Sequence, residues 1–247
     1  MRSTYDEIGV GYAHTRRSDP RIAELIHGAL GDSSSVVNVG AGAGSYEPGD
    51  RRVVAVEPSA TMIRQRPAGS APAVRAAAEN LPLADRAVDC ALAILTAHHW
   101  TDPDRGFAEM RRVARERAVV VTWDQQVWES FWLIREYFPA CEVDRRRALA
   151  VEGIASALGG GRILPVPVPH DCVDGFHGAF WRRPGAYLDP QVRAGISTFA
   201  TMSSPDLHRG LGRLAADLAD GSWEKRHRDL LELDEIDLGY RLIVAAA

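Results

Sequence analysis

Cysteine is scarce. Cys90, Cys141 and Cys172 are the three in 247 residues, far apart and near no histidine cluster. That spacing offers neither a disulfide framework nor a ligand set of zinc type, so a reducing compartment and no metal are expected. Long apolar runs are lacking too. No stretch approaches the roughly 20 residues of a membrane span, and the opening MRSTYDEIGVGYAHTRRSDPR has no apolar centre of signal-peptide type. A cytoplasmic location without membrane contact is the expectation. Nor is there a surplus of positive charge. The net charge is -4, and the runs Arg145-Arg146-Arg147 and Arg182-Arg183 are short enough to read as solvated faces, which argues against a nucleic-acid partner. Internal repeats, low-complexity segments and separating linkers are absent as well. With 46% apolar and 25% charged residues, the chain reads as one globular domain over residues 1–247, monomeric or homodimeric.

What is present is alternation. SDPRIAELIHGALG carries Asp19 as a helix cap, Pro20 at the first helical position, a stripe of Ile22, Leu25, Ile26, Ala29 and Leu30, and Gly31 as a stop. Short apolar runs follow at SVVNVG, RRVVAVEP, residues 73–77, residues 88–95 and residues 117–123. They read as strands buried on both faces, with a helix over DPDRGFAEMRRVARE between the last two. Strands alternating with helices predict a doubly wound α/β sheet of Rossmann-like type. Further on, VWESFWLIREYF predicts one amphipathic helix with Val127, Phe131, Ile134 and Phe138 on its stripe. Pro165, Pro167 and Pro169 remove donors from one side of a strand, which confines that strand to the sheet margin. A mostly helical stretch and a final strand in IDLGYRLIVA complete the chain. The domain divides into a nucleotide-site half (1–124), covering helices with the edge strand (125–235), and the terminal strand (236–247).

The glycines at 40, 42 and 44 fall where the first strand ends, in VVNVGAGAGSYE. Bare backbone there turns tightly and approaches a ligand closely, as nucleotide-binding loops require. The run Gly40-Ala41-Gly42-Ala43-Gly44-Ser45 follows GxGxG rather than the GxGxxG of dinucleotide sites. Glu57 ends the second strand, where a carboxylate can accept both hydroxyls of a ribose.

Taken in order, VVNVGAGAG, VVAVEPSATMI, AAAENLPLADRAVDCALAI and HHWTDPDRGFAEMRRVAR resemble the successive motifs of class I S-adenosylmethionine-dependent methyltransferases of the small-molecule type, over roughly residues 5–124. The resemblance implies a seven-stranded sheet of order 3-2-1-4-5-7-6, its seventh strand antiparallel. It also implies S-adenosylmethionine as cofactor, S-adenosylhomocysteine as product, and a small organic methyl acceptor, with oxygen or nitrogen favoured over carbon. By the same resemblance Gly40, Ala41 and Gly42 lie under the methionine portion and Glu57 holds the ribose. Pro58 and Met62 pack on the adenine, Ala78 and Glu79 face its edge, and Leu95 and Thr96 offer carbonyls to the ammonium. Tyr12 and Arg16 belong to a covering N-terminal segment, with Arg16 opposite the cofactor carboxylate.

Three departures from the family pattern are visible. Asn38 replaces an acidic residue, Ala77 replaces a frequent Asp, and the short interval between the first two strands leaves room for about one helical turn. Neither an NPPY-like nor a Pro-Cys motif occurs, which disfavours nucleic-acid bases as acceptors. His98 and His99 follow the fourth strand and are the candidate general bases, ahead of His14, His170 and His177. In an extended segment only one of the pair can face the substrate, and His98 is the expected one, with His99 packed behind. Phe180, Trp181, Tyr187 and Phe199 are expected in the cover of the acceptor pocket, while Trp100, Trp123, Trp128, Trp132 and Trp181 read as core. Two alternatives stand beside this reading: a protein of the same fold that binds the cofactor without transferring methyl, such as a cyclase, and an NAD-linked oxidoreductase.

Overall fold

The computed structural model describes residues 16–139 and 148–247; Tyr12, His14, Cys141 and the Arg145-Arg146-Arg147 run lie outside them. Its strands are β1 Ser35–Val39, β2 Arg52–Val56, β3 Ala73–Val74, β4 Val88–Ile94, β5 Ala114–Trp123, β6 Arg162–Pro165, β7 Val168–Pro169, β8 Glu235–Ile236 and β9 Tyr240–Ala246. Seven form one sheet in the order β3-β2-β1-β4-β5-β9-β6. The first five pair in parallel, and β9, the last strand of the chain, runs antiparallel to both β5 and β6. This is the Rossmann-like order expected, with β9 as the expected seventh strand, between β5 and β6.

Helices α1 Pro20–Ala29, α2 Ala60–Arg64, α3 Pro103–Val113, α4 Gln125–Ser130, α5 Val151–Ala157, α6 Pro190–Ala194, α7 Ser197–Thr201, α8 Ser204–Ala219 and α9 Ser222–Arg226 surround the sheet. Every residue of β1 is buried, with Val36 in the hydrophobic cluster on one face and Val37 and Val39 in that on the other. Two-sided burial is why these strands lack polar alternation. Helix α1 starts as its sequence predicts: the Asp19 side chain accepts from the Arg21 N–H, and Ile22 and Ile26 are buried in the first cluster. Helix α3 places Phe107, Met110 and Val113 in the second. At the N-terminal end of the sheet, Asp89 accepts from the backbone N–H and the hydroxyl of both Ser34 and Ser35. The Arg115 guanidinium, then those serine bonds, hold its carboxyl well below the ordinary carboxylate range.

Three expectations are corrected. No helical turn forms in residues 40–51; the chain passes from β1 to β2 through consecutive tight turns. The helix over 127–138 breaks: α4 stops at Ser130, Phe131 turns to ψ 127°, and a wide π-type turn spans Leu133–Tyr137. The reason is excess apolar surface. Trp128, Phe131, Trp132, Leu133, Ile134, Tyr137 and Phe138 are all buried, and no single face of a regular helix can bury them together. The proline run also divides. The sheet edge is β6, ending at Pro165, and the Val166 N–H still donates to the Tyr240 carbonyl at 2.9 Å. Beyond Pro167 the chain leaves the sheet, and Val168–Pro169 pairs with β8 as a separate two-stranded unit. Among the described residues no helix is long and apolar enough to cross a membrane.

Candidate functional site

In the register of β1 with β2, Val39 stands opposite Val56, so the glycine loop and Glu57 leave the sheet side by side. The Gly40 and Ala41 N–H groups both donate to the Val56 carbonyl, at 2.8 and 3.1 Å. Gly40 has φ 68°, and a Cβ there would lie 2.0 Å from Thr96 Oγ1, so only glycine fits between β1 and the turn after β4. Glu57 is 5% exposed and ties the loop down: Oε2 accepts from the Gly42 N–H at 2.8 Å and Oε1 from the Ser59 N–H at 2.7 Å.

Asn38, on β1 beneath the loop, donates from Nδ2 to Glu47 Oε1 at 3.0 Å, and Glu47 pairs with Arg66 at 2.6 Å. Asn38 Oδ1 is buried without a hydrogen-bond partner. A neutral amide thus stands beneath the loop, and the carboxylate that accepts from it is Glu47, nine positions along the chain.

Strand β4 ends in strain. Leu95 has φ 48°, in the left-handed region that costs an ordinary side chain about 1–2 kcal/mol. It turns the chain into a single 3₁₀ turn over Ala97–His99. The expected extended segment does not form, so the alternation argument for the histidine pair does not apply. The two rings lie with centroids 3.7 Å apart, and His98 also sits edge-on to Trp123 at 4.6 Å. Glu79 Oε1 fixes the end of the turn by accepting from the Thr101 and Asp102 N–H groups.

These elements enclose a cavity of about 370 Å³. Its wall includes every predicted cofactor residue among those described: Arg16, Gly40, Ala41, Gly42, Glu57, Pro58, Met62, Ala78, Glu79, Leu95 and Thr96. Asn38, the expected departure in the first motif, lines it as well, and so do Ser45, Trp100 and Thr101, unpredicted as contacts. His99 belongs to this wall, not to the packing behind it. A second cavity of about 80 Å³ adjoins it, sharing Arg16 and Leu95. His98, Trp123, Trp128, Phe176, His177, residues 195–198 and Tyr240 line the small cavity. Of the aromatics expected over the acceptor, Trp181 and Tyr187 are fully buried in the core, and Phe180 and Phe199 pack against that same cluster. Trp128, read as core, is buried in that cluster and also lines the small cavity, and Trp123, read as core, is half-buried against the cluster on the same cavity wall.

Arg16, expected opposite a ligand carboxylate, makes a bidentate ion pair with Asp174, at 2.7 and 3.2 Å. The Tyr46 hydroxyl donates to the same carboxylate at 2.9 Å. Burial first, then the Asp174 charge, pushes the Tyr46 phenol far above its ordinary range, so it stays a donor. Tyr46, Arg16 and Asp174 are remote in sequence, and no local signal announced the cluster. Among the described residues, no group of three or more His, Cys, Asp and Glu is arranged to hold a metal ion.

Residues 37–122 match a family model described as a methyltransferase domain. Over nearly its whole length the chain is similar to a crystal structure from Anabaena variabilis ATCC 29413, described as a methyltransferase from an antibiotic biosynthesis pathway. The two are 35% identical with a TM-score of 0.88, covering 94% of this chain and 99% of that one. An S-adenosylmethionine-dependent methyltransferase of Thermotoga maritima is 22% identical, with a TM-score of 0.46 over 60% of this chain and 71% of its own. One of Aquifex aeolicus is 20% identical, with a TM-score of 0.45 over 60% and 82%. A search of curated proteins found no match.

Proposed function

The chain belongs to the class I S-adenosylmethionine-dependent methyltransferases, and from that premise we propose that it methylates an oxygen or nitrogen of a small organic acceptor held in the smaller cavity. The observation that carries this reading is the meeting of the two cavities at Leu95 and Arg16. An in-line displacement needs the acceptor atom about 3–3.5 Å from the methyl group, so a donor site and an acceptor site must lie side by side, as two cavities lined by the same residues do.

The residues fit the cofactor on two counts. A volume of about 370 Å³ lies in the range of roughly 300–1,000 Å³ of pockets that hold small ligands and cofactors. Asn38 Oδ1, buried and without a partner in the cavity wall, suits an ammonium donor, and an orphaned acceptor is otherwise costly.

When bound, the sulfonium supplies a methyl group already activated by positive charge. Glu57 accepts from the ribose hydroxyls while holding the glycine loop through the Gly42 N–H. Gly40, Ala41 and Gly42 let the backbone approach the methionine portion, Pro58 and Met62 pack on the adenine, and Ala78 and Glu79 border its edge. Leu95 and Thr96 carbonyls join Asn38 at the ammonium. Arg16, compensated by Asp174, stands at the junction with the acceptor cavity. His98 is the candidate base for an acceptor that must lose a proton, and the aromatic walls exclude competing water.

Calorimetric titration tests the reading. S-adenosylmethionine and S-adenosylhomocysteine are expected to bind in the micromolar range and NAD(H) not at all. Failure of both to bind, or binding of NADH in their place, refutes it.

A further inference from the structure

Strand β4 alternates to its end. Cys90 and Leu92 lie in the first hydrophobic cluster and Ala91 and Ala93 in the second, so an extended Leu95 would follow Ala91 and Ala93 to the second face. It does not. With φ 48° the chain swings back, and Leu95, like Ile94, packs against the first cluster, to which Trp128, Phe176 and Tyr240 belong. The Leu95 N–H, donating to the Val121 carbonyl at 2.8 Å, holds the turn in place. Those three aromatics line the small cavity, and Leu95 borders both cavities while staying partly exposed. Glycine would take this backbone without strain. A leucine held there at a cost points to a use for its side chain.

We propose that Leu95 is a specificity-determining residue: its strained backbone aims the side chain at the acceptor side of the boundary, where it admits only a group of a few non-hydrogen atoms and shuts out rings. The proposal rests on reading the small cavity as the acceptor site. Volume carries the size limit. An apolar cavity of about 150 Å³ holds benzene, whereas this one has about 80 Å³. Position singles out Leu95 among the residues around it. Arg16 and Leu95 are shared by the two cavities, and Arg16 is committed to Asp174, which leaves Leu95 as the apolar side chain between donor and acceptor. Trp128, Phe176 and Tyr240 on the far wall are buried members of the cluster, so packing fixes their places. The acceptor thus reaches the methyl group with a small substituent or an open-chain end, and any ring it carries stays outside.

The test is titration with benzene of the full chain, saturated with S-adenosylhomocysteine so that the larger cavity is filled, followed by calorimetry and by NMR of the tryptophan indole N–H groups. The wild-type protein should show no saturable binding. Leu95→Ala, a truncation of the kind that opens a benzene-sized cavity, should saturate, with an affinity at least about tenfold above the wild-type limit. Ring-current shifts should then be larger at Trp123 and Trp128 than at Trp223, which lines neither cavity. Leu95→Gly also removes the side chain and relieves the backbone, so it keeps the test available where alanine does not fold. It should bind benzene too and melt no lower than Leu95→Ala, the reverse of the usual penalty for glycine. Saturable benzene binding to the loaded wild type overturns the proposal by itself. So does a folded, loaded Leu95→Ala or Leu95→Gly that binds no benzene, or that binds it without shifting Trp123 and Trp128. A lower melting temperature for Leu95→Gly than for Leu95→Ala overturns the part played by strain. Wild-type protein that fails to bind S-adenosylhomocysteine refutes instead the methyltransferase reading.

Discussion

Replacing Glu57 with Ala should cost this protein twice, once in the ligand and once in the fold. Both carboxylate oxygens already accept backbone N–H groups, Gly42 at 2.8 Å and Ser59 at 2.7 Å. Stranding a buried donor costs about 1–3 kcal/mol. Ser59 N is enclosed, whereas Gly42 N borders the cavity, where water can replace part of the bond, so about 2–4 kcal/mol of stability should be lost. At about 2–4 °C per kcal/mol for a chain of this size, the ligand-free melting temperature should fall by about 4–16 °C. Loss of hydrogen bonds from the ribose to a charged group adds about 1.5–3 kcal/mol to the binding free energy, a weakening of roughly 10- to 150-fold. Near-ultraviolet circular dichroism melts and calorimetric titration with S-adenosylhomocysteine measure the two effects separately. Glu57→Gln refines the comparison: its carbonyl can serve one N–H, but its amide faces the other donor head-on, so it should fall between wild type and Ala. Weakened binding with an unchanged melting temperature would show that the loop does not need these bonds. Unchanged affinity would remove Glu57 from the cofactor site.

Gly40→Ala forces a Cβ to within 2.0 Å of Thr96 Oγ1 at a φ of 68°, so S-adenosylhomocysteine affinity should drop by at least about tenfold; a variant with wild-type affinity would mean that the loop moves freely. His98→Ala should lower turnover by roughly 10²- to 10⁴-fold on a protonated acceptor and leave S-adenosylhomocysteine affinity unchanged, whereas His99→Ala should weaken that affinity; full activity of His98→Ala would exclude it as the base. For pH, the imidazole of His177 lies at about 3, below its ordinary 6.5, so between those values the unfolded chain binds the extra proton. Its contribution to stability is complete above pH 6.5 and is lost as pH falls, at up to about 1.4 kcal/mol per pH unit. Denaturant midpoints at pH 7.0 to 4.5 should therefore decline less steeply for His177→Phe, and parallel declines would refute the assignment.

The cofactor side of this molecule is written in contiguous stretches. Glycines at the end of an apolar run, a carboxylate at the end of the next, and AENLPL between β3 and β4 each stand on one short segment, and parallel pairing brings equivalent strand ends together. Local pattern plus a regular sheet was enough to place Gly40 beside Glu57. The edge strand was legible for a similar reason, since a proline deletes its donor wherever the chain goes, although that chemistry did not reveal that the chain leaves the sheet beyond Pro167.

The acceptor side is different in kind. Its wall joins Arg16, Leu95 and His98, Trp123 and Trp128, Phe176 and His177, residues 195–198 and Tyr240, six segments with no shared periodicity. Whether a tryptophan is core or cavity wall, and whether a buried histidine finds a second partner, depends on how these segments pack. The turn that separates His98 from His99 hangs on the left-handed backbone of Leu95, a conformation that a leucine does not announce. By itself the sequence determined the alternation of strands and helices, the glycine loop and the carboxylate at the next strand end, because each depends on neighbours in the chain, while the strand order came from the family resemblance. Tertiary structure alone decided the second cavity, the break at Phe131 and the Arg16–Asp174–Tyr46 cluster, because burial and polar satisfaction are settled between residues distant in sequence.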